Sequence, residues 1–253
     1  MRLVTPPSRH ATGLIPSWKR ALDLLGCLAA LPLVVICTVM MTIVTKLVSP
    51  GPVLFRQERI GHQGRRYRIY KFRTMHVRAE TKGHQEYFKG LVGSRAPMMK
   101  LDARGDSRLL PGAWLLRATG LDELPQIINV LRGEMSLVGP RPCLPAEAEL
   151  YEPWQRERFD AVPGLTGLWQ VSGKNRTTFE EMIHLDIRYA RTRTFWMDLR
   201  IIALTIPALI VQLRDTRTGR RLAAASARNS APAHSAPPVP VTADQSPVEQ
   251  VVS

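Results

Sequence analysis

The chain has 253 residues, enough for one ordinary domain with appendages. Its formal charge of +14 and sequence pI of about 10.5 imply an anionic partner: nucleic acid, a phospholipid surface or a phosphate-bearing substrate. Three scattered cysteines (Cys27, Cys37, Cys143) are too few for a disulfide framework, and no Cys/His spacing suits zinc, which sets aside disulfide-stapled and zinc-built classes.

Residues 1–16 are polar and proline-containing and read as a loose N-terminal tail. Between residues 21 and 48 only Asp23 and Lys46 are charged. A helix of that length measures about 42 Å, more than the ~30 Å hydrocarbon core, so residues 17–50 are assigned to the membrane. The run is too long for a signal peptide and has no small-residue cleavage site. Lys19 and Arg20 precede it; Arg56, Arg59, Arg65 and Arg66 follow. Basic flanks mark the cytoplasmic side, and here both flanks are basic. A re-entrant helix that dips in, bends at Pro32 and returns satisfies both; a straight span with a harmless proline kink is the alternative.

Ser49-Pro50-Gly51-Pro52 ends the apolar helix, and residues 51–213 are assigned to a small cytosolic domain. Residues 53–59 read as a short strand or extended segment, turned by Gly61 and Gly64. Residues 67–73 alternate apolar and basic side chains, a period of two that predicts a strand with a packed face and a cationic face. Residues 76–106 are expected to be a helix-containing connector, and residues 109–119 carry helical apolar spacing.

Residues 121–142, LDELPQIINVLRGEMSLVGPRP, are the centre of the chain. Adjacent carboxylates, Asp122 and Glu123, open an apolar helical pattern at Leu124, Ile127, Ile128 and Leu131, with Gly133 as its stop. Pro125 is tolerated only in a first helical turn, so the two acids fall at a helix N-terminus, where free N–H groups favour carboxylates and phosphate. Taken alone, an aspartate there is most often just a cap.

Further on, residues 146–159 are helix-compatible with a break at Pro153. Pro163-Gly164-Leu165-Thr166-Gly167 reads as a turn, Leu168-Trp169-Gln170-Val171 as a short strand, and Thr178 as the cap of a helix reaching about residue 191. Residues 195–213 are amphipathic to apolar, interrupted by Pro207, and are expected to lie against the membrane or the core. Residues 214–253, basic and then rich in Ala, Pro and Ser, are expected to be a disordered tail. The fold class is therefore α+β, mostly helical: a small domain on a re-entrant membrane helix with amphipathic interfacial helices.

KRALD (19–23), SPGPVLFRQERIG (49–61), YRIYKFRTM (67–75), LRATGLDELPQIINVLRGEMSLVGPRP (116–142), PGLTGLWQVSGKN (163–175), LDIRY (185–189) and MDLRI (197–201) occur in this order. With these pieces the chain resembles the bacterial sugar transferase family, the monotopic polyprenyl-phosphate phosphoglycosyl transferases. The resemblance implies transfer of a sugar-1-phosphate from a nucleotide sugar, expected to be a UDP-sugar, to undecaprenyl phosphate. It also implies a re-entrant helix at the bacterial inner membrane, a catalytic domain on the cytoplasmic face, an Asp-Glu pair and a Mg2+ requirement. Two departures stand out. The family's Ser-Pro break is replaced by Val35-Ile36, with Pro32 about one turn earlier, and Gly120 stands where the family usually has Ser.

On this resemblance Asp122 is the expected nucleophile and Glu123 its partner, both able to hold the Mg2+; the reverse order of roles fits the sequence equally. Lys71, Arg117 and Arg141 match motif positions suited to the substrate phosphates. Asp186 and Gln170 are further substrate-binding candidates, although an ion pair serves Asp186 as well. The competing class is a membrane-tethered, non-enzymatic binder of nucleic acid or acidic polymer. That class needs aromatic side chains interleaved with the basic ones. Aromatics are 6% of the chain and do not cluster so, which leaves membrane lipids, a nucleotide sugar and undecaprenyl phosphate as the expected partners, with no nucleic acid.

Overall fold

The computed structural model describes residues 15–77, 90, 96, 98, 108–174 and 176–229. The N-terminal tail and most of the connector expected over 76–106 lie outside the described residues.

A single helix, α1 (Ser17–Val48), runs through Pro32 without ending there. Its buried residues are Lys19, Asp23, Cys27, Cys37, Met41 and Thr45. Within each half these recur every four positions, so they form one stripe along the helix. The rest of the surface carries exposed leucines, valines and isoleucines, among them Leu24, Leu28, Leu31, Val35, Val39 and Ile43.

The buried stripe meets the domain along its whole length. Lys19 Nζ donates to the Val138 carbonyl (2.8 Å) and the Tyr189 hydroxyl (2.9 Å) and pairs with Asp198. Arg20 donates to the carbonyls of Val130 and Leu131, at 2.5 and 2.6 Å. Asp23 Oδ1 accepts from Ser136 Oγ and the Leu137 amide, both at 2.8 Å. Cys27 packs with Ile69, Ile127, Val130 and Met135, while Cys37 and Met41 pack with Phe72 and Leu116. At the far end Arg73 donates to the Ser49 hydroxyl (2.9 Å), the Ser49 carbonyl and the Pro52 carbonyl (2.8 Å). Those bonds satisfy carbonyls that a helix terminus leaves orphaned.

Strands β1 (Leu54–Ile60) and β2 (Arg66–Phe72) form the expected antiparallel hairpin, with Arg56 opposite Tyr70 and Phe55 opposite Lys71. Helix α2 (Ala113–Thr119) ends at Gly120, whose φ of 74° is left-handed. A 3₁₀ helix (Leu121–Gln126) follows and leads into α3 (Ile127–Leu131), which stops before Gly133 at φ 76°. Gly120 thus suits a backbone conformation in which a serine would be strained.

Strand β3 (Ser136–Val138) pairs in parallel with β4 (Gly164–Thr166). This corrects the reading of residues 163–167 as turn alone, and the strand expected at Leu168–Val171 is instead one helical turn, α5. Turn residues and strand residues exchanged places because the glycines here serve close approach. A Cβ on Gly139 would fall 2.2 Å from the Val162 carbonyl oxygen, and one on Gly167 2.1 Å from the Gly139 oxygen. Only glycine lets these backbones touch.

Helix α4 (Pro145–Glu149) and a 3₁₀ helix (Pro153–Asp160) cover one side of the core. Helix α6 (Phe179–Thr192) opens on the expected Thr178 cap, whose hydroxyl accepts from the Glu181 amide while Glu181 returns the bond. The last helix, α7 (Phe195–Asn229), passes Pro207 and continues to Asn229. The disordered tail expected from residue 214 therefore does not begin there; residues 230–253 lie outside the described residues. Just before Arg214, buried Gln212 donates to the Ala118 carbonyl at 2.9 Å and holds α7 against α2. Trp196 (74% exposed), Leu199, Ile206 and Ile210 face outward from α7, and Trp18, Phe195 and Trp196 make edge-to-face contacts beside the Lys19–Asp198 pair.

Neutralising one partner of that pair leaves the other buried and uncompensated. Lys19→Met or Asp198→Asn is expected to cost about 3–5 kcal/mol. The Lys19→Met/Asp198→Leu double variant should recover most of it, read as thermal melting of the detergent-solubilised chain.

Candidate active site

The acidic pair lies in the first turn of the 3₁₀ helix, between α2 and α3. The cap expected of Asp122 is not made: Gly120 occupies the N-cap position, and no side chain caps the turn. Asp122 is 7% exposed, and Glu123, with a side chain 37% exposed, receives the Lys71 ammonium at 2.8 Å. The structure thus places Lys71, on β2, beside Glu123 on the 3₁₀ helix.

Asn129 sets that contact. Fully buried on α3, it donates to the Arg68 carbonyl (2.7 Å) and to Glu134 (2.7 Å), and its Oδ1 accepts from the Tyr70 amide (3.2 Å). The edge of β2 is thereby locked to the helix that carries the carboxylates. Arg117, one turn upstream on α2, donates to the Thr74 hydroxyl at 3.2 Å.

The Gly-Pro-Arg-Pro loop after β3 is held at every residue. Gly139 N donates to the Thr166 carbonyl and Gly164 N to the Pro140 carbonyl, both at 2.9 Å. The Arg141 carbonyl accepts from Arg158 (2.8 Å) and the Pro142 carbonyl from Arg59 (3.1 Å). The Arg141 guanidinium forms two bonds to buried Glu147, at 2.8 and 3.1 Å. Arg158 pairs with Asp186 and donates to the Tyr151 hydroxyl at 2.6 Å.

Asp186 therefore lies beneath the loop, oriented toward Arg158, and the ion-pair reading of this residue is the one the structure gives. Burial pushes its carboxyl up to about 6, against the pull of Arg158 and Arg141. Gln170 donates to the Leu165 carbonyl at 3.0 Å, and its Oε1 is buried without a partner. Trp169, buried, donates to Thr177 and packs in the core.

Three residues beside this site carried no role in the sequence reading: Glu147, Arg158 and Arg59. Each is charged yet almost fully buried. A single sequence shows such residues as ordinary surface charges, because burial depends on what packs over them. Arg59 alone left a trace, inside the FRQERIG motif.

The two adjacent carboxylates fit a hard divalent cation that takes one or two protein oxygens and completes its shell with phosphate oxygens. Asp122 and Glu123 are the residues that would hold it. Tyr70 carries the Arg56 and Arg132 guanidiniums 5.4 and 5.3 Å from its ring centroid.

The family model for bacterial sugar transferases matches residues 15–212, and the chain belongs to that family. It is similar to the galactosyl transferase CpsE of Streptococcus agalactiae serotype III, 38% identical over 196 residues, which is 76% of this chain and 42% of that protein. It is also similar to the UDP-glucose:undecaprenyl-phosphate glucose-1-phosphate transferase of Caulobacter vibrioides, 39% identical over 200 residues, 76% of this chain and 69% of that protein. The exopolysaccharide production protein ExoY of Rhizobium meliloti is 36% identical over 194 residues, 76% of this chain and 84% of that protein. The chain thus spans well under half of CpsE and most of ExoY. Family membership and two long apolar helices together associate the chain with the membrane.

The Arg141–Glu147 pair gives a pH signature. Burial alone would raise Glu147; the Arg141 charge and its two hydrogen bonds, with Arg59 and the Leu144 amide, outweigh it and take the carboxyl down from 4.5 to about 2. A carboxylate depressed in the folded state stabilises above its unfolded pKa, and that stabilisation fades as pH falls toward the folded value. Melting temperature should therefore drop between about pH 4.5 and pH 2 more steeply in the native chain than in Glu147→Gln. The contribution concerned is about 3 kcal/mol.

Proposed function

We propose that the chain transfers a sugar-1-phosphate from a nucleotide sugar to undecaprenyl phosphate, the step that begins an exopolysaccharide or other surface glycan. The observation that carries this reading is the Asp122–Glu123 pair, with Lys71 bonded to Glu123, on a domain fastened lengthwise to an apolar helix. The Caulobacter relative's name supplies the donor class, a UDP-sugar, and the acceptor, undecaprenyl phosphate.

The reaction joins two anions, so the protein must neutralise charge and provide a nucleophile. An Asp122 carboxylate oxygen attacks the phosphorus that bears the sugar. One O–P bond forms, the bridging P–O bond breaks, and nucleoside monophosphate leaves with the electron pair. The phosphate oxygen of undecaprenyl phosphate then attacks the same phosphorus and returns Asp122 as a carboxylate. Lys71 keeps Glu123 in place and faces the phosphates with positive charge, joined by Arg117 and Arg141. Bound Mg2+ supplies neutralisation of phosphate charge.

The membrane helix brings the site to its lipid. Lys19 at one end of α1 and Ser49 just beyond the other are both bonded to the same domain. A straight span would carry one end some 30 Å away, across the hydrocarbon core. Attachment at both ends favours a helix that stays on one side, as a re-entrant anchor or a shallow one, with the domain on the cytoplasmic face. The acceptor's phosphate lies at the headgroup plane, and a site anchored there shortens its search.

Asp122→Asn should abolish release of nucleoside monophosphate from UDP-glucose or UDP-galactose by purified membranes, while the protein stays membrane-bound; substantial residual turnover would place the nucleophile elsewhere. EDTA should stop release and Mg2+ restore it. Cysteines introduced at exposed Ser17 and Gln63 should both escape an impermeant thiol reagent applied to intact cells. Labelling of either one from outside would establish a spanning helix.

A further inference from the structure

Five charged side chains gather around the Gly-Pro-Arg-Pro loop: Arg59, Arg141, Arg158, Glu147 and Asp186. Two guanidiniums have a carboxylate each, Arg141 with Glu147 and Arg158 with Asp186. Among the described residues Arg59 has none. It is 8% exposed, and its partners are neutral oxygens: the Pro142 carbonyl at 3.1 Å and the Gln57 amide at 2.7 Å. Its Nε is buried and has no partner among the described residues. The cluster therefore holds one positive charge more than negative.

A buried guanidinium without a counter-ion is costly unless an anion completes it. Burial and then the Arg141 charge disfavour the charged form of Arg59, whereas Glu147 and Glu123 support it. Location comes from the bond to the Pro142 carbonyl, which places Arg59 against the loop that carries Arg141. The neutral bonds also fix orientation: Nη1 is tied to the loop and Nη2 to β1, so the guanidinium plane cannot swing away.

We propose that Arg59 is a binding residue for the donor's diphosphate, and that its uncompensated charge takes up the negative charge of the departing nucleoside monophosphate. This rests on the reading of the site as a sugar-phosphate transferase. A substrate phosphate supplies the counter-charge that the fold omits, and the bond to Pro142 couples the same residue to the loop that carries Arg141. When the bridging P–O bond breaks, the electron pair goes to the oxygen of the leaving phosphate, and on this proposal the Arg59 charge offsets it. A fixed cation suits such a position because it needs no reorganisation as charge develops. The second half-reaction, attack by the lipid phosphate, does not involve the departed nucleotide and so does not use Arg59.

The test uses the full chain in detergent, with UDP as the binding probe and UDP-glucose and UDP-galactose as turnover probes. Arg59→Met keeps most of the side-chain volume without charge, and Arg59→Lys keeps the charge without the fork. Arg59→Met should weaken UDP binding at least tenfold and raise KM for the donor, with KM for undecaprenyl phosphate and the melting temperature little changed; Arg59→Lys should recover part of the affinity. Unchanged UDP affinity in Arg59→Met overturns the proposal, as does wild-type protein that binds no UDP. Equal loss for donor and acceptor, tracking a lower melting temperature, also overturns it and makes Arg59 a staple for the loop. If Arg59→Met does not fold, Arg59→Lys decides alone: donor-specific weakening supports the proposal, and unchanged affinity refutes it. Turnover surviving in Asp122→Asn would instead strike at the transferase reading, whatever UDP binding shows.

Discussion

The buried ammonium–carboxylate contact between Lys19 and Asp198 joins the start of the membrane helix to the start of the last helix, and the rest of the molecule is arranged around that junction. Tyr189 and the Val138 carbonyl complete it, so α1, β3, α6 and α7 meet at one polar node. Two charges out of water are tolerable only when such partners saturate them. The node fixes where the hydrocarbon-facing surface ends and where the strand leading into the Gly-Pro-Arg-Pro loop begins. The orientation of the domain on its long apolar helix is thus set in part by an electrostatic contact, not by apolar packing alone.

Charge placement follows the same logic nearer the acids. Lys71 and Glu123 are partly exposed and bonded to each other; on the proposed function, such groups can exchange partners when substrate arrives. Arg141 and Arg158 are each paired with a buried carboxylate that fixes the guanidinium beside the loop. Asn129 does the equivalent work for β2 with a neutral side chain. Rigid supports surround a few adaptable groups, the arrangement that lets a site be complementary to a reacting phosphate before it binds.

Much of this was legible in the sequence. The apolar run, the Pro-Gly stop, the hairpin with its period of two, the Thr178 cap and the acidic pair all rest on local signals that tertiary packing reinforces. The misreadings have tertiary causes. Gly164 and Gly167 look like turn punctuation, yet they are there because Gly139 passes in backbone contact. Leu168–Val171 looks like a strand by composition, but it is a single helical turn following β4. The tail after Arg214 reads as unable to bury anything, yet α7 runs on into it from Gln212, whose partner lies 94 residues away. The adjacency of Asp122 and Glu123 is plain in the sequence, whereas the contact that brings Lys71 to Glu123 spans 52 residues and needs the fold. The Glu147 and Asp186 pairings became visible only once the chain folded over them.

All three cysteines are buried, one stripe member in each half of α1 and one under the Gly-Pro-Arg-Pro loop. Burial also pushes the Cys143 thiol up, away from the reactive thiolate. The native protein is therefore chemically quiet toward soft electrophiles. Spin labels, fluorophores or crosslinkers attached at a single engineered thiol should report that site against a silent background, without first stripping residues that fill the core.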